Sequence, residues 1–324
     1  GRAFLALMAA AWVAVALAGW VAVGVGAVAT ERPVIGVFAQ PKTSDYCGNS
    51  TSCQYIAASY IKFVESHGGR AVPIDYYATD DEVEALFGSV NGMLIPGGGS
   101  AVSSGAYKAY ALAKEANDAG ETFPILGICM GFEWLLQLAG GALDTGFDSE
   151  NVSLPLNMTE AAATSRFFSG LDSSLYELLQ SPESTAFNNH MAGITPEHFD
   201  GYTDLADTFT VLSTSADRNG VEFVSTMEAK DYPFYGTQWH PEKNVWELGE
   251  TATGLPYENI PHTADAIDIT LYISKFFMAQ ARESTHSFAD PAKEQSSIMW
   301  QFPVYFTGPE FVQSYITGDF GLYL

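Results

Sequence analysis

Basic residues are scarce in this chain: 14 Lys and Arg stand against 38 Asp and Glu in 324 residues, a formal net charge of −24. So acidic a surface repels phosphate backbones and anionic headgroups, which disfavours nucleic-acid binding. Phosphate-cradling signatures are absent too, with no G-x-x-x-x-G-K-[ST] and no G-x-G-x-x-G after a strand. Charged residues reach only 16%, against the roughly 25% usual for soluble domains. Disorder is nevertheless excluded, because hydrophobic residues make up 47% and aromatics 13%. The length suffices for one large domain or two small ones, and neither internal repeat nor linker divides it.

Part of the charge deficit lies at the N-terminus, where Ala3 to Thr30 carries no charged residue. That run is long for a signal h-region, yet Ala27-Val28-Ala29 has the form of a cleavage site. Residues 1–29 are therefore expected to be a signal peptide or an uncleaved signal anchor, and the membrane is a partner only through that segment. Three N-x-[ST] sequons, at Asn49, Asn151 and Asn157, agree with a secretory route. Cys47 and Cys53 flank a short flexible loop and can either pair or stay as thiols. Pairing would leave Cys129 alone, as a buried bystander or a reactive thiol.

From Pro33 onward short apolar strands alternate with helical stretches. Strands are expected at Val34–Gln40, Ala71–Ile74, Gly92–Ile95 and Pro124–Ile128, with helices at Tyr55–His67, from Thr79, over Tyr107–Asn117 and from Gly131. Such alternation implies βαβ units, hence an α/β fold with a mostly parallel central sheet flanked by helices. Asp144–Ser184 reads as loops around short helices. Runs at Thr208–Ser213, Glu222–Met227 and Phe234–Trp239 are close enough for hairpins, so the sheet is expected to turn antiparallel there. A helix over Ala264–Ala281 packs back, and the aromatic end of the tail docks on the same 30–324 domain.

Chemistry concentrates at three places. Gly127-Ile128-Cys129-Met130-Gly131 joins a strand to a helix in the G-x-nucleophile-x-G pattern, in which a strained turn presents the nucleophile. The helix N-terminus favours negative charge on the sulfur. An inert cysteine in a glycine-rich turn is the bland alternative. Gln238-Trp239-His240-Pro241-Glu242 follows a strand, and in extended chain His240 and Glu242 point the same way. Glu242 can then fix the tautomer of a His240 base and stabilise its charge. Pro96-Gly97-Gly98-Gly99 offers backbone N–H groups to a developing oxyanion, with Gly98 and the N–H of Met130 as the two donors.

The PGGG loop, the Gly-Ile-Cys-Met-Gly-Phe-Glu elbow and the Gln-Trp-His-Pro-Glu strand end resemble the class I glutamine amidotransferase-like family, a flavodoxin-like three-layer fold. Within it the chain is similar to the γ-glutamyl hydrolases of the C26 peptidase group. Supporting stretches are Arg32–Gln40, Tyr55–Lys62, Phe187–His190 and Pro303–Gly308, and the likeness spans about Arg32 to Thr317. It implies a secreted, lysosomal or vacuolar thiol hydrolase cleaving folyl- or antifolate poly-γ-glutamates. Cys129 would be nucleophile, His240 base and proton donor, Glu242 its orienting partner, with no metal or organic cofactor. Glu133, four residues after the cysteine, is either a substrate contact or a first-turn carboxylate serving the helix dipole. His190, in an Asn-Asn-His loop, is expected at the substrate, with a hydrogen-bonded structural histidine as the alternative; Tyr55, by family analogy, and Gly97 are expected there too.

A polyanionic substrate demands a basic or N–H-rich pocket in this acidic protein, whose cation the sequence does not name. Rival readings are hydrolysis of other small γ-glutamyl amides, a glutaminase-type amidotransferase, and an inactive binding protein on the same fold. Whether the chain forms a homodimer is left open.

Overall fold

The computed structural model describes residues 29–42, 47, 50–309 and 311–321. The expected signal segment, through residue 28, and the sequon at Asn49 lie outside them. Fourteen strands occur in the described residues. They are β1 (Val34–Phe38), β2 (Gln40–Pro41), β3 (Gln54–Ala57), β4 (Arg70–Ile74), β5 (Gly92–Ile95), β6 (Ile125–Ile128) and β7 (Asp144–Ser153). Then come β8 (Asn157–Met158), β9 (Phe187–Gly193), β10 (Phe209–Ala216), β11 (Glu222–Ala229), β12 (Phe234–Thr237), β13 (Val304–Phe306) and β14 (Gln313–Thr317).

The central sheet has eight strands in the order β4-β1-β5-β6-β12-β11-β10-β8. β4 through β12 in that order run parallel, and β11, β10 and β8 antiparallel. Parallel strands must be covered on both faces, and their sequences accordingly lack polar alternation: β1 (VIGVF) and β6 (ILGI) are buried throughout. On one face lie α1 (Ala58–Glu65) and the long helix Ala264–Ala281, whose Ile269, Ile273 and Phe277 are fully buried. On the other lie α2 (Asp80–Phe87), α3 (Ser104–Asp118) and α4 (Met130–Leu138), contributing Val83, Leu86, Ala109 and Leu135. Each such aliphatic or aromatic burial contributes roughly 1.5–3 kcal/mol. Thr79 caps α2 through a complete capping box with Glu82, as the Thr-Asp-Asp-Glu pattern foretells.

Three departures from the sequence reading matter for function. Tyr55 lies in β3 rather than at a helix start, because Tyr55 pairs with Ile316 of β14 and Gln40 of β2. Part of the region expected to be loops, Asp144–Ser153, is the ten-residue strand β7, paired with β9. His190 is therefore on a strand, not a loop. β7 buries only Phe147 and Ser149 and shifts register twice, so its own pattern carries little apolar alternation and its partner is some forty residues away. The sequon at Asn151 falls in this strand, where its side chain accepts a hydrogen bond from the backbone of Asn259, whereas Asn157 is exposed.

The C-terminal segment returns as β13 and β14 and joins β3 and β2 in a four-stranded sheet. Cys47 and Cys53 are disulfide-bonded beside it, and Cys129 is the free cysteine. Among the described residues no helix is long and apolar enough to cross a membrane.

Candidate active site

β5, β6 and β12 are adjacent and parallel, so their carboxyl ends deliver three loops to one edge of the sheet. β5 runs into Pro96–Gly99, β6 into Cys129, and β12 into Gln238–Glu242. Cys129 caps α4 with φ 54° and ψ −111°, a backbone conformation costing of order 1–3 kcal/mol for a residue with a side chain. The surroundings hold it there. The Cys129 N–H donates to Thr237 O at 2.7 Å, and a Cβ on Gly131 would fall 1.9 Å from Ile95 O. A Cβ on Gly127 would meet Gly131 O at 2.4 Å. The two glycines of the elbow are thus required by backbone passing backbone.

His240 Nδ1 lies 2.8 Å from Glu242 Oε1, with the ring 4% and the carboxylate 0% exposed. The ring is anchored through its own backbone, whose N–H donates to Phe187 O at 2.8 Å. Burial opposes charge on the imidazole, but the Cys129 sulfur and the Glu242 carboxylate, by charge and by hydrogen bonding, outweigh it and raise His240 to about 10. Cys129, His240 and Gly98 line one cavity of about 260 Å³ with Tyr55, Asn189, Lys243 and Phe311. Among the described residues, neither Gly98 N–H nor Met130 N–H has a hydrogen-bond partner. Gly98 is exposed in the cavity wall, and Met130 directly follows the nucleophile at the start of α4.

The remaining expected residues divide. Tyr55 lines the same cavity. Glu133 and His190 line a wider groove of about 670 Å³ that also borders Cys129. Burial holds the Glu133 carboxyl above the usual carboxylate range, partly offset by a hydrogen bond from the Gln238 amide at 3.1 Å and by the His240 ring. Burial likewise lowers His190 to about 4, leaving the ring neutral between Ala192 O (2.8 Å) and Asn188 Oδ1 (3.1 Å). Gly97 sits behind the cavity rather than in its wall. Its N–H donates to the Tyr60 hydroxyl at 2.8 Å, and a Cβ there would strike that hydroxyl and His240 Cε1.

Sequence reasoning missed three neighbours. Tyr60 reads as an ordinary apolar position of α1, yet its fully buried hydroxyl bridges Gly97 N–H and lies 3.5 Å from His240 Nδ1. Phe311 comes from the C-terminal segment, anchored where the Val312 N–H donates to Glu247 Oε2 at 2.6 Å, and nothing local announces its destination. Lys243, directly after Pro241-Glu242, brings an ammonium to the cavity wall. Glu258 holds its ammonium at 2.8 and 2.6 Å and also accepts from Asn189.

Residues 33–242 match the Peptidase C26 family model. The chain is 36% identical over 301 residues to the gamma-glutamyl hydrolase of Mus musculus, covering 89% of this chain and 90% of that one. To its Homo sapiens counterpart it is 35% identical, covering 88% and 90%. To gamma-glutamyl hydrolase 1 of Arabidopsis thaliana it is 34% identical, covering 85% and 79%. A far weaker likeness, to the glutaminase domain of Trypanosoma brucei CTPS with bound acivicin (16% identity, TM-score 0.45, 78% and 94% covered), adds no weight. With a cysteine elbow, an imidazole–carboxylate pair and a family match over most of its length, the chain belongs to the peptidase C26 family.

Proposed function

We propose that the chain is a γ-glutamyl hydrolase that cleaves the γ-amide bonds of folyl- or antifolate poly-γ-glutamates through a thioester on Cys129. The observation that carries this reading is the meeting of Cys129, on its strained elbow, with the His240–Glu242 pair beside two unpartnered backbone donors. The Cys129 thiolate attacks the γ-carbonyl carbon, and the Gly98 and Met130 N–H groups receive the oxyanion. Collapse of that adduct breaks the C–N bond while imidazolium gives its proton to the departing amine. Water then attacks the thioester, His240 takes its proton, and the γ-carboxyl product leaves as the thiolate returns. Glu242 holds Nδ1, so Nε2 is the nitrogen that exchanges protons. A ring raised to about 10 stays protonated through acid and neutral pH, which suits the amine-leaving step in an acidic lumen.

A secretory destination, vacuolar, lysosomal or extracellular, is the companion proposal, supported by the Cys47–Cys53 disulfide and the exposed sequon at Asn157. The deciding experiment compares pteroyl-diglutamate, free glutamine and small γ-glutamyl amides as substrates, with Cys129→Ala as control. Release of glutamate from the folate substrate, lost in the variant, is expected. Preference for glutamine would overturn the substrate assignment, and equal turnover by Cys129→Ala the mechanism.

A further inference from the structure

From the catalytic cavity toward the C-terminal strap, two neighbouring rings lie between two lysines. The Lys243 ammonium sits 5.0 Å from the centre of the Phe311 ring. Phe311 is 6.2 Å from the Tyr55 ring, and the Lys42 ammonium stands 4.8 Å over Tyr55. Lys243 and Tyr55 face the cavity of Cys129; Lys42 faces a second one of about 260 Å³ with Thr307, Pro309 and Ser314, and Phe311 is common to both. Among the described residues no carboxylate lies within ion-pair distance of Lys42. The wider groove that also borders Cys129 carries Glu133 and Glu150 and, among its described lining, neither Lys nor Arg. In a protein with only 14 basic residues, Lys42 is thus the cation of this path without a carboxylate partner among the described residues, Lys243 being paired with Glu258.

A γ-linked glutamate chain presents one α-carboxylate per residue. Each residue contributes five chain atoms rather than the three of an α-residue, so carboxylates recur at roughly 6 Å instead of about 3.5 Å. The two ammoniums at the ends of the path are no more than about 16 Å apart, within the reach of two to three γ-linked residues. We propose that the Lys243–Phe311–Tyr55–Lys42 path binds the poly-γ-glutamyl chain beyond the scissile bond, with Lys42 taking the α-carboxylate of a distal glutamyl residue; this rests on the hydrolase reading above. The wide, acid-lined groove is then left to the uncharged aryl end of the substrate. Lys42 is a specificity residue: it favours long chains over short ones.

The test is the ratio of kcat/KM for pteroyl-pentaglutamate to that for pteroyl-diglutamate, in wild type, Lys42→Met, Lys42→Arg and Lys42→Glu. A half-exposed charge pair is a modest contact, so Lys42→Met is expected to lower the ratio about fivefold, Lys42→Glu further, and Lys42→Arg little. Added salt should lower the wild-type ratio and leave that of Lys42→Met nearly level. Wild type cleaving both substrates, with the same ratio in Lys42→Met and Lys42→Glu, overturns the track alone. Wild type cleaving neither overturns the hydrolase reading, and the track with it.

Discussion

Replacing Glu242 by Gln keeps the side chain's shape and removes its charge from a place where water cannot substitute for it. The carboxylate is 0% exposed and meets His240 Nδ1 at 2.8 Å. A hydrogen bond to a charged partner contributes about 1.5–3 kcal/mol. At about 1.4 kcal/mol per tenfold in rate, kcat/KM on pteroyl-diglutamate is expected to fall about 10- to 150-fold. The substitution also removes one of the two influences that outweigh burial and hold His240 at about 10, so the ring must titrate at lower pH. Two measurements check this: kcat/KM across acid and neutral pH, and an NMR titration of the His240 ring in both proteins. A loss smaller than about threefold, together with an unmoved imidazole titration, would refute the reasoning. Loss of activity without any change in the ring's titration would instead assign Glu242 the task of orienting the ring rather than of raising its basicity.

The Tyr60→Phe change leaves the buried Gly97 N–H without its 2.8 Å acceptor, so unfolding free energy should drop by about 1–3 kcal/mol in urea titration, with kcat/KM falling as the PGGG loop relaxes. Substituting Gly131 by Ala drives a Cβ to 1.9 Å from Ile95 O; a cost of about 3 kcal/mol or more and a melting temperature lower by several degrees are expected by calorimetry, and an unchanged Tm would contradict the elbow geometry. Because His240 is raised in the folded state from its ordinary 6.5, its contribution to stability is complete below about pH 6.5 and is lost as pH rises through about 10. Urea unfolding of wild type against His240→Asn should therefore show the gap between them narrowing toward alkaline pH, not widening.

Local chemistry was enough to read several features from the chain. The all-apolar runs of β1, β5 and β6, separated by helices, require a parallel sheet covered on both faces. The Thr79–Glu82 capping box and the Gly-x-Cys-x-Gly elbow each lie within five residues, so their geometry is written in neighbouring side chains. The His240–Glu242 pair was legible for the same reason, since i and i+2 share a side in extended chain. β7 was not, because a strand with little apolar alternation is defined by its partner, and β9 lies some forty residues away.

Only the tertiary structure decided which distant residues share the cavity. Strand order brings Gly98, Cys129 and His240 together, a consequence of β5, β6 and β12 lying side by side although their segments span some 140 residues. The same holds for Tyr60, an unremarked position of α1 until the Gly97 N–H finds its hydroxyl, and for Phe311, carried across the molecule by β14 pairing with β3. Sequence periodicity reports which side of an element is buried. It does not report against what, because that is settled by pairing and packing between segments whose separation along the chain bears no relation to their distance in space.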